Sequence, residues 1–572
     1  MKKLPFIILI LLSGSSFAQN HIGSNISSLA DWSSEITFVN VFNQAREWIS
    51  FDNGGAWDSG VPIALSSDGY PLEIPYNDGV NPPQYVRTLM LWDIDGLYPS
   101  GNYRLIVSGT GQITLSGAVN GTFSCPVDQV VSVNNSGGII LTINSSALSD
   151  PINDIRLIIP GSHNTYQTAP FNPSFLNYIS DFETIRFMDF MKTNFSPVVS
   201  WSDRSPHDYY TQTLQSGVAY EYLIELCNTT QKNAWVCIPH QADNNFITQF
   251  ATLLRDSLDP NLNVYVEYTN EAWNGIFSQS QYVEIMGNSL GYAGQPWEQG
   301  WKYYAKRSAD IHYIFETVFN NENRIVNVVA SQTLGYVSDY ILSRYEEVAY
   351  NPNQVQAEAL ANAPYFGGGL ADVIGNAGLA NTITVDDILD SLEYSSLPQA
   401  FIEMQDGKLV AQNHNVEYIA YEGGQHLVSY AYTSNLNFVN TLIEVNRNPR
   451  MEDLYCQYFN YWYDTIQGGL FCQFTSHYKP GIYGSWGVKE HMNDTLAPKY
   501  LGLKNCVFNA NAMSMLGDLN QDGTINILDI VRVVAIILDD DPTEYELWAG
   551  DVNGDGEIDV LDIVLLIGII LE

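Results

Sequence analysis

The sequence predicts an α/β protein built on a (β/α)8 TIM barrel, with an N-terminal β-sandwich domain before it and a small α-helical domain after it. Three observations carry this. From residue 151 to 512 short apolar runs alternate with longer helical patterns, as parallel strands with helical returns do. Residues 19–150 show short alternating runs broken by Gly, Asn, Pro and Ser, the pattern of sandwich strands. Residues 513–572 contain one unit twice, and at 572 residues the chain is too long for a single core.

The chain opens with "MKKLPFIILILLSGSSFAQN": two lysines, an apolar run from Leu4 to Leu12, then the small residues Ser16 and Ala18. Residues 1–18 therefore read as a signal peptide, which predicts a secreted protein, extracellular or at the cell surface. The run is far short of the roughly 20 residues that cross a bilayer, so no stable membrane span is expected. The sandwich follows, with "YRLIVSG", "QITLSGAV" and "GIILTINSS" as strands; it serves either as structural support or as a sugar-binding module.

Eight barrel strands are predicted, beginning at Ile155, Thr184, Ala234, Val264, Arg324, Ala359, Val416 and Gly469. Segments such as "FITQFATLLRDSL" and "MEDLYCQYFNYWYDTI" lie between them, each long enough to return over a sheet. In this architecture the C-terminal strand ends form one mouth, where polar residues carry functional weight.

Charge limits the partners. Lys and Arg number 24 against 63 Asp and Glu, a net charge of −39, which repels phosphate backbones and argues against nucleic acid. A neutral ligand is compatible, and 36 Tyr and 12 Trp supply flat surfaces for sugar rings. Six cysteines give neither a disulfide framework nor a paired C-x-x-C metal spacing.

At the strand ends stand Arg186 and Asp189, His240, Asn270 and Glu271, Tyr365, Glu422 and Gln473, with Trp486 shortly after the eighth strand. Two acids thus reach one mouth from strands four and seven. Glycosidic cleavage needs such a pair: one protonates the departing oxygen, the other attacks the anomeric carbon or activates water. Arg186 is placed to hold a nucleophilic carboxylate ionised, and Asn270 to bond a sugar hydroxyl. Glu267, deeper on the same face as Glu271, reads as a buried paired acid. Asp189 and Trp201 read as rim residues, and Trp273 as a stacking platform or core.

"TNE" at the end of strand four and the lone Glu of "YEGG" at the end of strand seven resemble the pattern of glycoside hydrolase clan A, a family of retaining (β/α)8 enzymes. The resemblance implies Glu271 as general acid/base, Glu422 as nucleophile and Asn270 as the ligand of the 2-hydroxyl. It implies Arg186, His240, Tyr365 and Trp486 as substrate-binding residues. Ala272 departs from the pattern, since many members carry Pro there, and the eighth strand lacks a Trp at its very end.

The terminal repeat pairs "GDLNQDGTINILDIVRVVAIIL" with "GDVNGDGEIDVLDIVLLIGIIL", opening at Asp518 and Asp551, 33 residues apart. Oxygen-bearing side chains fall at loop positions one, three, five, nine and twelve: Asp518, Asn520, Asp522, Asn526 and Asp529, then Asp551, Asn553, Asp555, Asp559 and Asp562. Gly523 and Gly556 take the sixth position. This is the spacing of a calcium loop, so Ca2+ is predicted here as a structural ion, with no cofactor for catalysis. The pair resembles a type I dockerin, which implies a cohesin on a scaffold or cell surface as partner. The whole predicts a secreted retaining glycoside hydrolase acting on a β-linked polysaccharide of cellulose or hemicellulose type. The alternative is a non-catalytic polysaccharide-binding protein displayed through its dockerin-like domain.

Overall fold

Fourteen strands occur among the residues that the computed structural model describes, which are 21–320, 323–508, 516–520, 524–538 and 542–571. They are β1 (Ile22–Asn25), β2 (Ile49–Phe51), β3 (Tyr85–Met90), β4 (Gly101–Gly117), β5 (Gly121–Val133), β6 (Ile139–Ser146) and β7 (Asn153–Ile158), followed by β8 (Thr184–Arg186), β9 (Asn233–Ile238), β10 (Val264–Tyr268), β11 (Ile325–Ala330), β12 (Ala359–Asn362), β13 (Glu417–Ala420) and β14 (Phe471–Gln473). Residues Ile22–Leu503 form one compact unit, and a second begins at Lys504.

Eight strands close a parallel barrel in the order β1-β14-β13-β12-β11-β10-β9-β8. Its interior is lined by residues of alternating strand positions, among them Trp235, Cys237, Val328, Ala330, Ala361, Ile419 and Cys472. Long amphipathic helices cover it. Asn244–Ser257 starts on Asp243, whose side chain accepts from the Phe246 amide, and buries Phe246, Ile247, Phe250 and Leu254 at helical spacing.

The expected first barrel strand at Ile155 is corrected by this pairing. The barrel begins instead with β1, whose sequence, Ile-Gly-Ser-Asn, has no apolar alternation. β1 bonds β14 on one side and β8 on the other. Gly23 belongs there because a Cβ would stand 2.6 Å from the Cys472 sulfur and 2.8 Å from the Thr184 carbonyl oxygen. The Ile155 segment is β7, which pairs antiparallel with β4.

The expected N-terminal sandwich at 19–150 is likewise corrected. β2 to β7 form one six-stranded antiparallel sheet inserted between the first and second barrel strands, so the barrel unit starts at Ile22 and not at residue 151. β4 bends at a bulge between Val107 and Gly111. Its first half pairs with β7 and its second with β6. Every second residue of β4 enters one core, with Leu105, Val107, Ile113 and Leu115 buried. The predicted signal peptide lies outside the described residues.

The second unit contains helices Ile527–Ile537, Glu544–Gly550 and Val560–Leu571 around Leu519, Val533, Ala549 and Leu566. Among the described residues no helix is long and apolar enough to cross a membrane.

Candidate active site

Arg186, the last residue of β8, is fully buried at the mouth end of the barrel. Burying a guanidinium is costly unless its donors are matched, and here each is. Nε and Nη2 each donate to Glu267 at 3.0 Å, and Nη2 reaches Asn270 Oδ1 at 2.9 Å. Nη1 donates to Asn25 Oδ1 at 3.0 Å and to Glu422 Oε1 at 2.8 Å. One cation therefore ties together residues from barrel strands one, two, four and seven.

Glu422 receives a second donor, the Tyr365 hydroxyl at 3.0 Å. Glu271 faces neutral partners: Tyr421 Oη donates to it at 2.9 Å and Asn274 Nδ2 at 2.8 Å. Tyr421 neighbours Glu422 in sequence and stacks under Arg186, 4.9 Å from ring centre to guanidinium carbon. The two acids thus share one mouth through Tyr421 and Arg186. Burial raises the Glu422 carboxyl, Arg186 pulls it back down, and Glu271 and Asp189 add to the rise. Burial also raises Glu267, against the pull of Arg186.

The backbone explains why an apolar strand ends in these residues. After Tyr268 the chain leaves extended geometry, and Thr269 and Glu271 adopt φ of 53° and 41°. Left-handed φ at non-glycine residues is strained and concentrates at functional sites. The turn aims Asn270 inward, where its amide also donates to Asn194 at 3.1 Å, and Gln279 bonds the Asn270 carbonyl at 2.9 Å. Glu267, one pleat earlier, is fully buried and also accepts from Trp235 Nε1 at 2.8 Å.

Of the seven predicted residues, the structure joins Arg186, Asn270, Glu271, Tyr365 and Glu422 in one network. Trp486 packs edge-on against Tyr365 at 6.2 Å and against His426 at 4.8 Å, at the rim of the mouth. His240 stands apart. Its ring lies against Tyr282 at 5.2 Å and its Nε2 meets Gln241, and among the described residues no hydrogen bond links it to either acid. Burial lowers its imidazole to about 4, so it is neutral. Trp273 packs edge-on against both Tyr304 and Tyr421, and Trp201 joins the Tyr220–Phe246 cluster.

Sequence reasoning missed Asn25, Tyr421 and Asn274. Asn25 sits on the unrecognised first strand, where its amide also reaches the Tyr421 carbonyl at 2.9 Å. Adjacency to Glu422 and a three-residue spacing from Glu271 were the available signals for the other two.

In the terminal unit the two loops repeat one geometry. Asp562 Oδ1 accepts from the Val552 and Asn553 amides at 2.9 and 3.1 Å, and Oδ2 from Asp559 at 2.8 Å. Asp529 Oδ1 likewise accepts from Asn520 at 3.2 Å and Oδ2 from Asn526 at 2.8 Å. Asp518, Asp529 and Asp562 are buried. Asp522 and Gly523 lie outside the described residues. Among the described residues no three acid, His or Cys side chains converge as a metal cluster. The donor chemistry, aspartate and asparagine oxygens wound round one loop with Gly556 at φ 89°, fits a hard divalent cation.

Comparison with known proteins agrees at this end of the chain. Residues 516–571 match the family model of the dockerin type I domain, so the C-terminal module is a type I dockerin. No curated protein matches the chain. Among solved structures the chain is similar to an alpha-L-arabinofuranosidase from Thermotoga maritima, at 12% identity and a TM-score of 0.37, over 59% of this chain and 64% of that one. It is similar to a 4-O-alpha-L-rhamnosyl-beta-D-glucuronidase from Fusarium oxysporum, at 12% identity and a TM-score of 0.36, over 62% and 67%. Xylanase10C from Cellvibrio japonicus is matched at 10% identity and a TM-score of 0.33, over 81% and 98%. The chain thus spans less than two thirds of the length of the arabinofuranosidase.

Proposed function

We propose that the chain is a secreted, retaining glycoside hydrolase acting on a β-linked polysaccharide of cellulose or hemicellulose type, and that its dockerin attaches it to a cohesin-bearing scaffold or cell surface. One observation carries the reading: two carboxylates share the barrel mouth in unlike environments. Glu422 contacts a guanidinium and a phenol, which favour its anion against the burial that raises its carboxyl. Glu271 contacts a phenol and an amide, and among the described residues no cation pairs with it.

The roles follow from that asymmetry. Glu422 attacks the anomeric carbon, forming a glycosyl ester as the glycosidic bond breaks, while Glu271 passes its proton to the leaving oxygen. Glu271 then takes a proton from water, which attacks the same carbon and releases Glu422. Arg186 and Tyr365 hold the nucleophile and recover its charge when the ester breaks. Asn270, fixed by Arg186 and Asn194, turns its amide toward a hydroxyl beside the reacting carbon. Asp551, Asn553, Asp555, Asp559 and Asp562, with their first-loop counterparts, would hold calcium, which would supply the counter-charge that lets the acidic loops close on their helices.

The experiment is hydrolysis of a panel of glucans, mannans, xylans and galactans by the full chain, with Glu271→Gln and Glu422→Ala beside it. The reading expects one glycan class to be cut and both variants to lose that activity. Binding without hydrolysis in wild type and variants alike would replace it with the display of a non-catalytic module.

A further inference from the structure

A cleft of about 600 Å3 runs outward from the mouth between the loops after barrel strands one, two and eight, and the inserted sheet reaches into it through Asp93. Its walls include Trp32, Asp93, Asp189, Lys479, Tyr483 and Trp486. Trp32 is 57% exposed and Tyr483 62% exposed, and the two open rings line one cleft rather than standing singly on the surface. Trp32 is nonetheless fixed. Arg46 lies 5.5 Å from its ring centre, and Arg46 is held by Asp31 through bonds of 3.1 and 2.8 Å. Asp31 is tied in turn to the inserted sheet, since its carbonyl accepts the Trp92 amide at 2.7 Å. Among the described residues no aromatic ring stacks on Trp32.

Asp189 opens into the same cleft, and among the described residues no donor of the protein reaches its carboxylate. The cations near it are committed: Arg46 to Asp31, Lys479 to Asp93 at 3.3 Å, Arg186 to Glu267 and Glu422, and Lys192 to the Thr213 carbonyl at 2.9 Å. The cleft thus offers an aromatic platform and an acceptor for hydroxyl groups, and among the described residues the Lys that lines it, Lys479, is paired with Asp93.

Its position in the ring gives its direction. The cleft borders barrel strand eight, next to Glu422 on strand seven, and strand eight faces strand four, which carries Glu271, across the closed barrel. A leaving group departs on the side of the acid that protonates it, so a cleft on the far side receives the part of the chain that stays with the nucleophile.

Resting on the hydrolase reading, we propose that this cleft is a glycone-side subsite for neutral, unsulfated and non-uronic sugar units, with Trp32 as stacking platform and Asp189 as hydroxyl acceptor, and that the inserted sheet is the specificity element that builds it. A sugar ring lies on the open face of Trp32, and two of its hydroxyls donate to Asp189. Carboxylated or sulfated units meet Asp189, whose charge no cation of the cleft pairs, and are repelled.

The test is calorimetric binding of neutral gluco-, manno-, xylo- and galacto-hexasaccharides, with oligogalacturonate as the anionic probe, to the full chain carrying Glu271→Gln. The expected result is binding of one neutral class, weakened about tenfold or more by Trp32→Ala and by Asp189→Asn but little by Trp32→Phe, with oligogalacturonate at least tenfold weaker. Unchanged affinity in Trp32→Ala and Asp189→Asn, equal binding of oligogalacturonate, or no binding of any probe overturns the proposal. The two readings fail separately. Glu271-dependent hydrolysis with an unchanged KM in Trp32→Ala removes the subsite alone. Trp32-dependent binding in a protein that cuts no glycan removes the hydrolase reading and leaves the subsite.

Discussion

The barrel mouth and the terminal repeats both crowd carboxylates together, yet they neutralise them by opposite means. At the mouth the protein supplies its own cation: Arg186 engages Glu267 and Glu422 at once, and phenol and amide groups complete the set. In the repeats fourteen acids stand against a single base, Arg532, and Arg532 is engaged by Glu546. There the buried loop-ending aspartates, Asp529 and Asp562, rest on backbone amides. A site that carries its counter-charge is organised before a ligand arrives, whereas acids without one need a cation to be brought together.

The largest effects break the mouth. Glu271→Gln or Glu422→Gln lowers kcat by about a thousandfold or more on the natural glycan, with circular dichroism unchanged. Glu271→Gln retains activity toward substrates whose leaving group needs no proton, and Glu422→Gln does not; equal loss on both substrates would erase the distinction drawn between the acids. Next comes the shared cation. Arg186→Met strands buried Glu267, and denaturant unfolding should show a loss of about 3–5 kcal/mol.

Removing calcium sharpens the contrast from the other side. A chelator should abolish cohesin binding and melt the terminal helices, while hydrolysis and the main thermal transition of the barrel stay as they were. Loss of barrel activity on chelation would show that the two regions do not differ as described.

The smallest effects concern protons. Tyr365→Phe removes a donor to the Glu422 anion, so the ascending limb of the pH–rate profile should move to higher pH; a limb that stays put removes Tyr365 from the ionisation of Glu422. Asp189 has its carboxyl raised by burial from 3.8 to about 6. A carboxyl raised by folding favours the folded state while protonated, so its contribution is full below about pH 4 and is lost as pH rises through about 6. Asp189→Asn should flatten that part of the stability curve, and an unaltered slope would show that Asp189 is not its source.

The sequence made most of the barrel legible because seven of its strands are short apolar runs between helical patterns. β1 was hidden because a strand flanked on both sides inside a barrel needs only small, bondable residues, and Ile-Gly-Ser-Asn carries no period. β7 shows the converse: "NDIRLI" has the strand pattern, but pattern does not say which sheet a strand joins. At the site, Glu271, Glu422, Asn270 and Arg186 were legible because charged or amide groups at apolar strand ends need a reason. Tyr421 was not, because a tyrosine in a strand is ordinarily core, and only coordinates show its hydroxyl on Glu271. His240 stands at a strand end as its position in the sequence suggests, with its ring against Tyr282.

The most direct measurement follows the anomer formed first during hydrolysis of the cleaved β-glycan by proton NMR. Glu422 acting as nucleophile opposite Glu271 gives the β-anomer before mutarotation. An α-anomer appearing first would mean that water, and not Glu422, attacks the sugar, contradicting the division of labour between the two acids.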